Sequence, residues 1–174
     1  MVNRERLETF RVGIIAGTAG GLAEIAWVTL YAGMTGGNPV LLARGVTTAA
    51  GLSALLPAMS PVMLGIGVHM VLAVTLGIVL TFAWQALSTR RAGLTNAYPF
   101  MLAALAGVWA TNFFVVLPVV SPAFIHMVPH AISLTSKLLF GVAAAEVVRN
   151  QAQFAAPPTA LARSKSRLGK TSWN

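Results

Sequence analysis

Residues 61–87 read PVMLGIGVHMVLAVTLGIVLTFAWQAL, and this stretch decides the fold class. Its one titratable side chain is His69, and the remainder is almost entirely apolar. A helix needs about 20 consecutive apolar residues to cross the hydrocarbon core of a bilayer. The stretch is long enough, so it predicts a membrane-spanning helix.

Three further stretches of spanning length flank this one, at about Phe10–Tyr31, Ala97–Val120 and Ala123–Val148. Of the 174 residues, 56% are hydrophobic and 9% are charged, whereas soluble domains have roughly 45–50% and about 25%. We therefore predict an all-α integral membrane protein, with an antiparallel bundle of four transmembrane helices. Residues 1–150 form this membrane domain, and residues 151–174 form a basic tail.

The segment between the first two spans, residues 38–56, predicts a helix that lies at the membrane surface or re-enters it. Asn38 followed by Pro39 is typical of an N-cap and a first helical residue, and Pro57 is a plausible end. A fifth span is the alternative. It would leave Arg44 in lipid and reverse the orientation of the helices that follow.

The net charge is +8, and the basic residues lie at the predicted helix ends and in the tail. Apart from Arg44, on the opposite side, and Lys137, within a span, they fall on one side of a four-span topology, which the positive-inside rule identifies as cytoplasmic. Both termini are then cytoplasmic. No basic stripe interleaved with aromatic residues appears, so no nucleic-acid partner is predicted. We expect the tail to bind anionic lipid headgroups or a partner subunit through Arg163, Lys165, Arg167 and Lys170.

Polar side chains fall within all the predicted spans, where burial of a charge is costly and often functional. Helix orientation and a rise of about 1.5 Å per residue place most of them at similar depth, in the outer half of the bilayer, with one lysine near the centre. The predicted buried polar cluster consists of Glu24, His69, Asn112, His130, Ser133 and Lys137.

Small residues recur every three or four positions beside these polar groups, a pattern typical of close helix–helix contacts. We therefore expect the polar residues to face the interior of a tight bundle. The stripes are Gly13, Gly17, Gly21 and Glu24; Gly65, His69, Ala73 and Gly77; Ala103, Gly107 and Thr111; and His126, His130, Ser133, Lys137, Gly141 and Ala144.

Three interpretations of the cluster remain open at this stage. Glu24 and Lys137 form a buried ion pair that fixes helix packing, or the cluster moves protons or ions, or it binds a metal ion or haem. His126 and His130 have the four-residue spacing of metal-binding helices, and His69 is a further candidate ligand. The chain has no cysteine, which excludes thiolate sites. No cofactor is required by any motif.

Two short patterns resemble the YagU-like bacterial inner-membrane proteins, a group without assigned chemistry. They are Gly67-Val68-His69 near the start of a long apolar helix, and Glu146-Val147-Val148-Arg149 at the end of the last helix. The resemblance implies a small protein of the bacterial inner membrane and no particular mechanism.

The small size and the lack of a recognisable active-site motif favour a non-catalytic accessory subunit of a larger membrane complex, respiratory or otherwise energy-converting. The alternative is a small proton- or ion-conducting protein that uses Glu24, His69, His130 and Lys137. A haem- or metal-binding membrane protein is the third possibility. The sequence names no reaction, so an enzymatic role is not expected.

Overall fold

The computed structural model describes residues 2–56, 60–90 and 96–151, and this part of the chain is helical with no strand. The main helices are α1 (Val2–Thr35), α2 (Pro39–Ala49), α3 (Pro61–Arg90), α4 (Tyr98–Thr111), α5 (Leu117–Val120), α6 (Pro122–Ile125) and α7 (His130–Arg149). A short 3₁₀-helix spans Ser53–Leu55, and a π-helical turn, Asn112–Val116, joins α4 to α5.

Four helices in the described residues are long and apolar enough to cross a membrane. They are Arg4–Thr35, Pro61–Arg90, Tyr98–Val120 and His130–Arg149. The prediction of four spans and an all-α chain is therefore confirmed at the level of length and composition.

Glycine ends α1, and asparagine begins α2. Gly36 has φ +70°, a left-handed conformation that glycine adopts without steric cost. The Gly37 N–H donates to the Ala32 carbonyl at 2.8 Å, which completes a Schellman motif. The Asn38 side chain then accepts from the Val40 N–H at 2.9 Å, as predicted for the N-cap of α2.

Helix α2 ends earlier than the predicted segment 38–56. Its last residue is Ala49, and Gly51 follows with φ +75°. A left-handed residue terminates the helical hydrogen-bonding pattern, so residues 53–55 form a separate turn. The predicted end at Pro57 lies outside the described residues, as do the tail residues Arg163, Lys165, Arg167 and Lys170.

Two prolines interrupt the third and fourth predicted spans. Pro118 has no N–H for the Phe114 carbonyl, and the π-helical turn ends two residues before it, at Val116. Pro129 separates α6 from α7 with φ −55° and ψ 139°. The fourth span therefore begins at His130 rather than at Ala123.

Helix α1 lies between α3 and α7, α7 packs on its other side against α4, and α2 packs against α3. Helices α3 and α4 meet near Trp84 and Phe100, whose ring centres are 5.7 Å apart. The fully buried apolar side chains come from α1, α4 and α7: Ala16, Met101, Leu105, Phe140, Ala144 and Ala145.

The small-residue stripes of α1 and α3 contact one another. The sequence predicted close helix–helix contacts at these stripes but not which helices they join. A Cβ atom on Gly77 would lie 2.3 Å from Cα of Gly17, and one on Gly13 would lie 2.7 Å from Cα of Ile78. The prediction for α4 is wrong, because Ala103, Gly107 and Thr111 are exposed. The α4 residues that contact the core instead include Met101 and Leu105.

Candidate functional site

The candidate site is built around Glu24, which follows the glycine stripe of α1 and is 3% exposed. Lys137 of α7 reaches this carboxylate with its ammonium group. Its Nζ is 2.7 Å from Oε1 and 2.9 Å from Oε2 of Glu24. Both carboxylate oxygens are therefore satisfied by one cation, across the contact between α1 and α7.

Ser136, which was not among the site residues predicted from the sequence, also contacts this carboxylate. Its Oγ lies 3.2 Å from Glu24 Oε1 and 3.1 Å from the Ser133 carbonyl oxygen. A hydroxyl has one proton to donate, so Ser136 serves one of these acceptors at a time. Ser133, a predicted site residue, contributes its backbone carbonyl. The signal for Ser136 was its position next to Lys137 on α7.

His69 of α3 is the third titratable residue at Glu24. Its Nε2 lies 3.5 Å from Glu24 Oε2, close enough for an electrostatic interaction if the imidazole is protonated. The geometry is not that of a hydrogen bond, and Nε2 is buried with no hydrogen-bonding partner among the described residues. One glutamate thus connects α1, α3 and α7, with one full ion pair and one unused imidazole nitrogen.

The other predicted members of the cluster lie elsewhere. Asn112 is exposed in the π-helical turn, and His130 is exposed at the start of α7. The His130 ring contacts an aromatic group, with ring centres 5.2–6.2 Å away on Trp109, Phe113 and Phe114. Helical spacing predicts which face of a helix a residue lies on, but not what packs against that face. The prediction that Asn112 and His130 belong to the buried cluster is therefore wrong, because both lie at the surface.

The candidate metal and haem ligands His69, His126 and His130 are also not brought together. His126 follows α6 and is exposed, and the break at Pro129 means that His126 and His130 do not share one helix. Within residues 2–56, 60–90 and 96–151, no three His, Asp or Glu side chains are arranged to hold a metal ion. His69 is the one member of the proposed ligand set that contacts Glu24.

A further interhelical hydrogen bond lies near this site. Trp27 Nε1 of α1 donates to the Ile132 carbonyl of α7 at 3.1 Å. Trp27 lies one turn beyond Glu24, and Ile132 lies more than one turn before Lys137. The bond therefore joins α1 to α7 about one turn from the ion pair, toward the C-terminal end of α1 and the N-terminal end of α7. No pattern in the sequence predicted it.

No protein-family model, curated protein or solved structure matches this chain. The resemblance to YagU-like proteins therefore stays a prediction.

Proposed function

We propose that this chain is a non-catalytic accessory subunit of a larger membrane assembly. In this proposal the four spans form an antiparallel bundle, α2 lies at the membrane surface, and both termini are on the cytoplasmic side of a bacterial inner membrane. The basic residues in the first three turns of α1 and at the ends of α3 and α7 support that orientation.

The observation that carries the proposal is the exposure of Asn112 near the middle of a span. Asn112 lies three residues past the centre of Tyr98–Val120, which is about 4–5 Å along the helix axis. A carboxamide that faces hydrocarbon has no water to hydrogen-bond, so its exposure there is unfavourable. A hydrogen-bonding side chain on a neighbouring subunit would remove that penalty, and such bonds contribute about 0.6–2 kcal/mol in membranes.

The Glu24 site is consistent with a packing role in such a subunit. Its carboxylate is neutralised by Lys137 within the same chain, so it does not require a substrate or ion to compensate its charge. The pair joins α1 to α7 and stabilises one register of the helices.

The test is purification of the tagged chain from its native membrane in a mild detergent, with identification of co-purifying proteins by mass spectrometry. We expect wild type to recover larger membrane subunits and Asn112→Leu to recover them several-fold less efficiently. Thr75→Val is the matched control, because the exposed Thr75 hydroxyl donates to its own helix at the Val71 carbonyl, 2.8 Å away. The proposal would be excluded if the wild-type chain were purified with no partner protein. It would also be excluded if Asn112→Leu recovered the partner proteins as efficiently as wild type does.

A second candidate function is proton or ion conduction, and the unpaired His69 nitrogen favours it. A proton on Nε2 would face Glu24 Oε2 at 3.5 Å, and carboxylate–histidine pairs at membrane depth are common proton relays. In proteoliposomes with a pH-sensitive dye, Glu24→Gln should abolish proton flux. Glu8→Gln is the control, since Glu8 lies at the exposed start of α1. Flux absent from wild type, or unchanged in Glu24→Gln, contradicts this function.

A further inference from the structure

A cleft of about 430 Å³ lies where the end of α3, the start of α4 and the end of α7 come together. The start of α1 is at the same end of the molecule, because Thr9 hydrogen-bonds the Gln85 side chain of α3. The lining residues are Trp84, Ser88, Asn96, Ala97, Tyr98, Val148, Arg149 and Gln151.

Arg149 is the charged residue among those that line the cleft. Its guanidinium group is oriented by residues that include Glu146, which does not line the cleft. Its Nη2 is 2.5 Å from Glu146 Oε1, and Tyr98 donates its hydroxyl hydrogen to the other oxygen of Glu146. The guanidinium carbon also lies 5.9 Å from the centre of the Tyr98 ring. Glu146 does not line the cleft, and among the described contacts it takes the Nη2 group of Arg149, so the N–H groups at Nε and Nη1 remain as donors.

The neutral polar lining residues add hydrogen-bond donors next to this cation. Asn96 uses its Oδ1 to accept the Tyr98 N–H at 3.0 Å, which leaves its amide hydrogens as donors. Gln151 supplies a second carboxamide, whereas the Ser88 hydroxyl already donates to the Gln85 carbonyl at 3.1 Å. Trp84, Ala97 and Val148 complete the wall with apolar surface, so the cleft is amphipathic.

The surroundings of the cleft are those of a membrane–water interface. Trp84 and Tyr98 lie near the ends of two spans, where tryptophan and tyrosine are enriched at headgroup level. Basic residues at the same end include Arg90 in the last turn of α3. A guanidinium group matches the oxygens of a phosphate in charge and in planar geometry, and basic pockets between helices bind anionic headgroups on the cytoplasmic side.

We propose that this cleft binds the phosphate group of an anionic phospholipid, with Arg149 as its charged contact and Asn96 and Gln151 as neutral donors. The phosphate lies in the polar part of the cleft, and the apolar wall faces the glycerol and the first acyl carbons. This site is separate from Glu24 and independent of the accessory-subunit proposal.

The test measures lipid binding to the purified full chain by native mass spectrometry, with added phosphatidylglycerol, phosphatidylcholine or inorganic phosphate. We expect phosphatidylglycerol to bind wild type most tightly, and Arg149→Gln to weaken that binding about tenfold or more. Arg90→Gln is the matched control, since it removes the same charge at the same end but does not line the cleft. It should bind nearly as wild type does.

Two results would overturn the proposal. Equal loss of phosphatidylglycerol binding in Arg149→Gln and Arg90→Gln would assign the effect to net charge rather than to the cleft. Inorganic phosphate that competes as effectively as the lipid would indicate a small-anion site and not a lipid site. Thermal unfolding of Arg149→Gln without added lipid shows whether the variant is folded, so that a loss of lipid binding is not mistaken for a loss of fold. Arg149→Lys keeps the positive charge and should retain part of the affinity for phosphatidylglycerol.

Discussion

Lys137 and Glu24 form a two-point ion pair across the contact between α7 and α1, with Nζ 2.7 Å and 2.9 Å from the two carboxylate oxygens. The carboxylate is almost fully buried, whereas the lysine side chain is 20% exposed. The two partners therefore differ in what their loss leaves behind. Removal of the lysine strands a buried negative charge, and removal of the carboxylate leaves a cation that can reach a more polar environment.

This asymmetry gives the first prediction. Lys137→Met should destabilise the fold by about 3 kcal/mol or more, as expected when one partner of a buried pair is removed. Glu24→Gln should cost less, and the double variant Glu24→Gln with Lys137→Met should be more stable than Lys137→Met alone. Unfolding in mixed detergent micelles, followed by circular dichroism, measures all three. Additive losses would show that the two side chains are not coupled in the fold.

The contact between α1 and α3 gives a second prediction, because two glycines of α3 have opposite surroundings. A Cβ on Gly77 would lie 2.3 Å from the Gly17 backbone, whereas one on Gly67 would meet nothing within 4 Å. Gly77→Ala should destabilise by about 1–3 kcal/mol, since backbone atoms must move apart. Gly67→Ala should leave stability nearly unchanged or slightly higher. The same unfolding assay compares them, and similar losses would contradict the close approach.

Sequence alone could predict that the small-residue stripes of α1 and α3 lie in helix–helix contacts, because glycine and alanine at four-residue steps have few roles in an apolar helix other than close contact. It could not predict that these two stripes contact one another. The Glu24–Lys137 pair was one of the three interpretations that the sequence left open. Glu24 is the carboxylate in the middle of an apolar stretch, and Lys137 is the one lysine within the predicted spans, at a similar depth.

The outward direction of the α4 stripe could not be predicted in this way. Periodicity shows that Ala103, Gly107 and Thr111 share a face, but the neighbour of that face depends on the packing of all the helices. The break before His130 was different, since Pro129 stands in the printed sequence. Its missing N–H is incompatible with a regular helix interior, so the shortened fourth span could have been expected.

Two tryptophans provide a third prediction through a matched pair of substitutions. Trp27 Nε1 donates to the Ile132 carbonyl at 3.1 Å, whereas Trp109 Nε1 is buried with no partner among the described residues. Replacement by phenylalanine removes the N–H in both cases. Trp27→Phe should lose the roughly 0.6–1.7 kcal/mol of an interhelical hydrogen bond in a membrane, beyond any common effect of the smaller ring. Trp109→Phe should cost less, and the reverse order of stabilities would contradict the assignment of these bonds.

The last prediction concerns His69, which is the nearest alternative cation for Glu24 once Lys137 is removed. In Lys137→Met, a protonated imidazole would face Glu24 Oε2 across the present 3.5 Å separation and replace the lost positive charge. An imidazole carries a positive charge only when it is protonated at low pH, so this compensation exists at low pH and disappears as the pH rises. Lys137→Met should therefore be more stable relative to wild type at about pH 5.5 than at about pH 8.

The double variant Lys137→Met with His69→Leu should lose that difference, because no imidazole remains at the carboxylate. Parallel unfolding titrations at the two pH values measure both effects. A pH dependence that survives in the double variant would assign it to another group, such as protonation of Glu24 itself, and would remove His69 from the set of partners of this carboxylate.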